Sequence, residues 1–359
     1  MAGKKATKDP ASASIQELLW LDAFDRRLTI RGLAWLKENG KRFSRFPLRA
    51  QKLVRPPVWE LAQCPASVRV CFRSDTTRLS VRVTNATLPK HAHFPLTGSA
   101  GVALYVGEPY RSVPWAFGVP DFDNPSFERA LFSGVSKKMR EFTLFLPLYA
   151  PLEKLALGFS PDAKIERPAP AALAKPVVFY GTSITQGGCA STVAFDFVST
   201  LSRLLNIDVV NLGFSGNGQG EPEVARLIAE IAAAGFVLDY VANVDPARLK
   251  KTLPVFCRIL RAAHPTTPII LLSKLCYAGA SFSSEARSYH ETMRDIMIHF
   301  YSKQRKAGDV NLHFVDGSAL ISFGSDATQV DGGHPADHGF RLMAERLAPF
   351  LRGILLADG

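Results

Sequence analysis

No apolar run in this sequence approaches the ~20 residues that a bilayer-spanning helix needs. The opening MAGKKATKDPASASIQELLW has lysines but no apolar stretch behind them. Neither a membrane span nor a secretory leader is therefore expected. Cysteine is scarce as well: Cys64, Cys71, Cys189, Cys257 and Cys276 are five in 359 residues, with no CxxC pair among them. Thiols so scattered argue against a disulfide framework or a cysteine metal site and make a reduced, cytoplasmic protein the expectation. His91-Ala92-His93 has a metal-like spacing without companion ligands and reads as a loop pair. Asp121-Phe122-Asp123-Asn124 resembles part of a calcium loop and lacks the rest. No GxxxxGK[ST] loop is present, and no helix-turn-helix, zinc-finger or RNP pattern.

What is present suffices for a packed core, with 47% hydrophobic and 21% charged residues. At roughly 100–200 residues per domain the length suggests two domains. The net charge of +11 is uneven: residues 1–175 carry 27 Lys+Arg against 15 Asp+Glu, whereas residues 176–359 carry 16 against 17. The plain reading is a solvated basic surface; the functional one is attraction of an anionic partner, an acidic polysaccharide or a nucleic acid. KRFSRFPLRAQKLVR (41–55) interleaves basic residues with Phe43 and Phe46, as nucleic-acid binders do.

The rhythm of the chain changes near residue 165. After residues 1–19, expected to be a flexible terminus, residues 20–160 read as one domain: a segment 14–52 that opens with a short helix and wraps around leads into it, and from about 53 to 160 the chain reads as short strands. SVRVCF (67–72), RLSVRVT (78–84), GVALYV (101–106), FTLFLPLY (142–149) and LEKLALGF (152–159) are separated by Gly, Pro, Asn and Asp. Strands so spaced argue for an antiparallel β-sandwich, jelly-roll-like in kind. Trp20, Trp35, Trp59 and Trp115 all fall here, and core packing is their expected role, sugar stacking the rival. The Pro- and Ala-rich stretch 161–176 reads as a linker. From 177 to 359, apolar runs at 176–181, 207–213, 236–242, 267–275 and 312–317 alternate with helical stretches near 193–205, 221–235, 246–264, 284–307 and 337–353. That alternation predicts parallel βαβ units, a doubly wound α/β domain.

In such a sheet ligands sit beyond the carboxyl ends of the strands. After the first strand comes Gly181-Thr182-Ser183-Ile184-Thr185-Gln186-Gly187. A serine hydroxyl is a poor nucleophile unless a base takes its proton and an acid orients the base. Asp331-Gly332-Gly333-His334-Pro335, just before the last helix, supplies both. Taken singly, Ser183 reads as a helix cap and His334 as a core or capping residue; together they favour catalysis. Asp316 and Asp326 are the other candidate acids, neither as local to His334. An oxyanion needs donors: Gly216, in NLGFSGNGQG after the second strand, and Asn243, in LDYVAN after the third, are placed to supply them. The glycine-rich stretch is not a dinucleotide fingerprint, because Glu221 stands where the third glycine is required. Cys189, near Ser183, reads as a small packed thiol.

GTSITQG, NLGFSGNG and DGGHP together resemble the SGNH/GDSL hydrolases, in particular a subgroup with an N-terminal sandwich domain. Gly101-Val102-Ala103-Leu104-Tyr105 is similar to that domain's GxDLY signature, with Ala103 in place of Asp. The resemblance runs from about residue 20 to 352. It implies a flavodoxin-like catalytic domain without metal or organic cofactor, with Ser183 as nucleophile, His334 as base and Asp331 as orienting acid. The Ser183 N–H, Gly216 and Asn243 would form the oxyanion hole. The usual GxND is replaced around Asn243, which keeps Asn217 as its alternative. The implied activity is hydrolysis of short acyl esters, acetyl groups on carbohydrate foremost. The implied partners are a small-molecule or oligosaccharide ester, with no membrane or nucleic acid and with room for a homo-oligomer. A general carboxylesterase, thioesterase or lipase-like enzyme is the alternative, and a non-catalytic anion- or nucleic-acid-binding protein a third.

Overall fold

The computed structural model describes residues 17–108 and 110–356. The expected flexible terminus lies outside the described residues as far as residue 16, but Leu19 is already paired in a sheet.

The described residues of the first half form ten strands: β1 (Leu19–Asp22), β2 (Thr29–Arg31), β3 (Arg69–Ser74), β4 (Leu79–Asn85), β5 (Val102–Val106), β6 (Val113–Gly118), β7 (Ser126–Phe132), β8 (Arg140–Phe145), β9 (Leu152–Phe159) and β10 (Ile165–Glu166). Three short helices, α1 (Leu36–Asn39), α2 (Pro56–Ala62) and α3 (Leu96–Ser99), lie between them. Of the segment 14–52, expected to open with a helix, the described part, from residue 17, begins with β1. One sheet runs β1-β9-β4-β7 and the other β10-β3-β8-β5-β6, with β2 alongside β3 and every pairing antiparallel. Alternate residues of both sheets, among them Val81, Val83, Leu157 and Phe159 facing Val70, Phe72, Leu104 and Leu144, share one buried core. That is the sandwich the period-two pattern demands. The Pro- and Ala-rich stretch is tied down: β10 pairs with β3, and the Ala169 N–H donates to the Glu141 carboxylate at 2.9 Å.

The second half alternates β11 (Val177–Gly181), α4 (Ser183–Gln186), α5 (Phe197–Leu205), β12 (Val209–Gly213), α6 (Pro222–Ala229), β13 (Gly235–Asp239), α7 (Pro246–Ala263), β14 (Ile269–Leu272), α8 (Ser284–Lys306), β15 (Leu312–Val315) and α9 (Asp337–Leu355). Its five strands are parallel in the order β12-β11-β13-β14-β15. They are apolar on both faces, as a sheet covered on both sides requires. Val178, Tyr180, Leu212, Leu238 and Leu271 point into one core with α6, α7 and α8. Val177, Phe179, Val209, Val237 and Ile270 point into the other with α5 and α9. The strand order reverses at β11, so the crevice of the fold opens at the carboxyl ends of β11 and β13.

The two halves share these cores. Trp35, Phe46, Val58 and Ala62 complete the first, and Phe94, Ala103, Tyr105, Phe145 and Tyr149 complete the second. Ala103, where the GxDLY signature has Asp, is fully buried at this junction. The tryptophans are packing residues: Trp35 donates to Glu230 at 3.0 Å, Trp59 lies against the first core, Trp115 stacks on Phe132 and Trp20 lies under the Arg82 guanidinium. Part of the basic stretch 41–55 is engaged within the chain, while Lys41, Arg42 and Lys52 are exposed. Phe43, Phe46 and Arg45 are buried, Arg49 pairs with Glu38 and Glu230, and Arg55 pairs with Glu221. Arg45 fans its guanidinium over the carbonyls of Leu61, Cys64, Asn211 and Gly213. Burial lowers its pKa to about 10, still far above neutrality.

Candidate active site

Each strand of the switch point ends in a loop that carries one of the expected residues. In the sheet register Gly181 stands opposite Gly213 on one side and Asp239 on the other. Ser183 is two residues beyond the first of these, Gly216 three beyond the second and Asn243 four beyond the third, so all three leave the same edge.

Ser183 is not the cap of its helix. Thr182 is: its hydroxyl accepts from the Ile184 N–H, and Thr185 Oγ1 accepts in return from the Thr182 N–H at 3.3 Å. This reciprocal box leaves the Ser183 hydroxyl free at the first helical position, where its own N–H has no partner inside the helix. Ser183 Oγ lies 2.8 Å from His334 Nε2, and His334 Nδ1 lies 2.7 Å from Asp331 Oδ2. Asp331 Oδ1 accepts from the backbone N–H groups of Gly333 and His334, at 3.0 and 2.8 Å. Partial burial works to raise the Asp331 carboxyl, but the hydrogen bonds from the His334 backbone and ring and from Gly333 outweigh it and hold the group at about 2. Asp331 is therefore an acceptor only, which assigns the Nδ1 proton to the imidazole and leaves Nε2 to accept from Ser183.

The loop after β12 is held from below. Asn211 is buried and donates to Ser67 Oγ and the Thr185 carbonyl, while Gln186 Oε1 accepts from the Ser215 N–H at 3.1 Å. Gly216 has φ +66° and open space where a side chain would stand, a left-handed conformation that costs other residues about 1 kcal/mol or more. Asn243 ends a 3-10 turn after β13, with Nδ2 3.4 Å from the Phe214 carbonyl of the neighbouring loop. Asn217 is engaged elsewhere: its Nδ2 donates to the Ser215 carbonyl at 2.8 Å, and its Oδ1 accepts from Arg55 at 3.0 Å. Asp316 accepts from Ser273 and Ser318 and lies against Arg294, and Asp326 caps its own following residue. The structure brings neither to His334.

Residues 174–352 match the GDSL-like lipase/acylhydrolase family, and residues 18–165 match the GxDLY domain, the N-terminus of SGNH-hydrolase-type esterases. The chain belongs to the SGNH/GDSL hydrolases. A solved structure from Bacteroides ovatus described as a GDSL-like lipase superposes on this hydrolase with a TM-score of 0.86 at 28% identity, covering 94% of this chain and 98% of that one. A salicylyl-acyltransferase from a tetracycline biosynthetic pathway has a TM-score of 0.72 at 20% identity, covering 94% and 99%. An acetyl xylan esterase from Butyrivibrio proteoclasticus has 0.59 at 13%, covering 94% and 99%. These last two share the fold. No curated protein matches the sequence.

Besides Cys189, which the sequence places near Ser183, several residues around the hydrolase site were not singled out for it in the sequence. His93 is exposed and Phe94 buried, both reaching the site from the loop between β4 and α3 in the sandwich half. Their rings lie 5.8 and 6.4 Å from that of His334. Tyr149 donates to the Ser183 carbonyl at 3.3 Å and packs on Phe94 at 4.6 Å; burial pushes its phenol up, so it stays a neutral donor. Cys189 is a buried free thiol in the turn after α4. Burial first and the Asp331 charge second push it to about 12, so it is a poor nucleophile. His93, read from the sequence as half of a loop pair, lies beside His334 of the other half of the chain. The local signal was the aromatic next to the histidines; the pairing itself has a separation of about 240 residues and no local trace.

Proposed function

We propose that this hydrolase is a serine esterase that removes short acyl groups, acetyl foremost, from carbohydrate alcohols. The observation that carries the reading is the hydrogen-bonded chain Ser183–His334–Asp331 at the switch point. In the proposed mechanism Ser183 Oγ attacks the ester carbonyl while His334 Nε2 takes its proton, and Asp331 stabilises the imidazolium and fixes its orientation. The carbonyl oxygen becomes an oxyanion held by the Ser183 and Gly216 N–H groups and the Asn243 amide. The C–O bond to the alcohol then breaks, with His334 returning the proton to the leaving oxygen. Water attacks the acyl-enzyme with His334 again as base, and the free acid leaves as Ser183 regains its proton.

Support for a small acyl group comes from the packing of Phe94, Tyr149 and Cys189, all buried, beside the nucleophile. Support for a carbohydrate alcohol comes from the fold shared with acetyl xylan and family two carbohydrate esterases, which is analogy of fold. The test is acetate release from 4-nitrophenyl acetate and from acetylated xylo- and manno-oligosaccharides, beside butyrate and octanoate esters. Wild type should favour acetyl over octanoyl, and Ser183→Ala should lose on the order of 10⁴-fold or more in kcat. Undiminished hydrolysis by the folded variant would refute the assignment. A preference for octanoyl esters or thioesters would move the enzyme to the lipase-like or thioesterase alternative.

A further inference from the structure

Two side chains at the site, His93 and Cys189, make or break no bond and carry no proton in the proposed acyl transfer. With Asp331 and His334 they form a group of four in which one ligand atom from each lies within 4.8 Å of all the others. The four come from three segments: His93 from the sandwich loop before α3, Cys189 from the turn after α4, and Asp331 and His334 from the loop before α9. The thiol is held there by an unusual backbone, since Cys189 has φ +71°, a left-handed conformation that few side chains adopt. Two imidazoles, a thiol and a carboxylate are a four-donor set of the borderline-soft kind that suits tetrahedral Zn²⁺. Zn–ligand bonds of about 2.0–2.3 Å put donors roughly 3.3–3.8 Å apart, so the widest separations have to close by about an ångström and the 2.7 Å hydrogen bond between His334 Nδ1 and Asp331 Oδ2 has to be given up where those atoms bind the ion. His93 is exposed and on a loop, so its ring is the side chain of the four with most room to turn.

We propose that His93, Cys189, Asp331 and His334 bind a single Zn²⁺ ion, and that its occupation switches the hydrolase off reversibly. On binding, the Cys189 thiol loses its proton to solvent as the S–Zn bond forms. The thiolate and the Asp331 carboxylate then balance the charge of the ion. Inhibition follows from exclusivity: with zinc on Nε2 that nitrogen has no lone pair for the Ser183 proton, with zinc on Nδ1 the ring proton moves to Nε2 and blocks it, and an Asp331 oxygen bonded to zinc no longer orients the ring. This inhibitory half rests on the proposed esterase mechanism, whereas the binding half does not.

The test titrates the metal-stripped chain with Zn²⁺ by calorimetry, and with Co²⁺ by absorption, in wild type, His93→Ala and Cys189→Ser. Hydrolysis of 4-nitrophenyl acetate is followed with Zn²⁺ and again after a chelator, each variant compared with its own chelated rate. Wild type should bind one ion, show a thiolate-to-cobalt charge-transfer band and lose activity that the chelator restores. Cys189→Ser should lose the band, and each variant should bind at least about tenfold more weakly, since even outer-shell partners are worth 10–100-fold. No stoichiometric binding to wild type, or equal binding in both folded variants, would overturn the site. Binding with the cobalt–thiolate band in a chain that hydrolyses no ester would uphold the site and remove the esterase reading with its inhibitory half. Full hydrolysis in the zinc-loaded chain would overturn the inhibition.

Discussion

Asn243 and Asn217 stand two strand-loops apart and differ in what their amides already do. The Asn217 amide is spent on the Ser215 carbonyl and on Arg55, whereas Asn243 Nδ2 makes, among the described residues, one long hydrogen bond of 3.4 Å to the Phe214 carbonyl. A donor held so loosely is available to a developing oxyanion. Asn243→Ala should therefore lower kcat by about 10²–10³ with little change in KM, and Asn217→Ala should act mainly by loosening its loop, with a smaller loss. Steady-state kinetics on 4-nitrophenyl acetate separates the two, and the reverse ranking would hand the role to Asn217. Beneath the same loops, burial raises the Asp239 carboxyl to about 7, against a smaller lowering by the Thr185 hydroxyl that donates to it at 2.7 Å. The native state thus holds a proton that the unfolded chain, with a carboxyl near 4, releases earlier. The resulting stability is complete below about pH 4 and is lost as pH rises through about 7, to the extent of a few kcal/mol. Asp239→Asn keeps an acceptor for Thr185 and removes the titration. The difference between variant and wild-type stability, read from urea unfolding, should grow in the variant's favour between pH 4 and pH 8; a flat difference would refute the shift.

β12 is an edge strand, and its outward carbonyls at Asn211 and Gly213 are covered by one buried arginine from the sandwich half. Arg45 thereby fixes the strand that delivers Gly216. Arg45→Met would leave four carbonyls without their donor and should cost about 3–5 kcal/mol. Arg45→Lys should also be destabilised, because an ammonium cannot span carbonyls on separate segments. Thermal melts measure both, and near-native stability of either variant would show the brace to be dispensable. The same residue marks where the sequence stops being legible. The β11–β15 and α5–α9 pattern was readable because each element is apolar on a regular period, and Ser183, His334 and Asp331 were readable because strand ends and a four-residue turn place them. Arg45 sits in a run of basic and aromatic residues that reads as a nucleic-acid surface, and only tertiary contacts turn it inward. β6 and β7 escaped notice for a related reason. VPWAFG and SFERALF expose much of their length at the ends of their sheets, so proline and charge interrupt the alternation. Strand and helix ends shifted where caps intervene: Asp196 starts α5 by accepting from the Ser199 N–H, four residues later than periodicity suggested.

At the scale of the whole chain, the change of rhythm near residue 165 marks two architectures that are not two independent bodies. Neither core of the parallel sheet is complete without the first half: Trp35, Phe46 and Val58 fill one face, and Phe94, Tyr105 and Phe145 fill the other. The segment between them is pinned by β10 and by Ala169. An apolar junction of this kind holds domains in one orientation, whereas small polar interfaces let them move. The site depends on that rigidity, because His93 and Phe94 reach His334 from the sandwich while Ser183 and Asp331 stand on the parallel sheet. The chain should therefore unfold in one cooperative transition, with sandwich and parallel sheet losing structure together and with calorimetric and van't Hoff enthalpies in agreement. Arg45→Met should lower that single midpoint without splitting it, since the arginine ties both halves to one strand. Two resolved transitions in wild type, or activity lost well before the sandwich melts, would mean that the catalytic half is stable by itself and that the shared cores contribute little to holding the site.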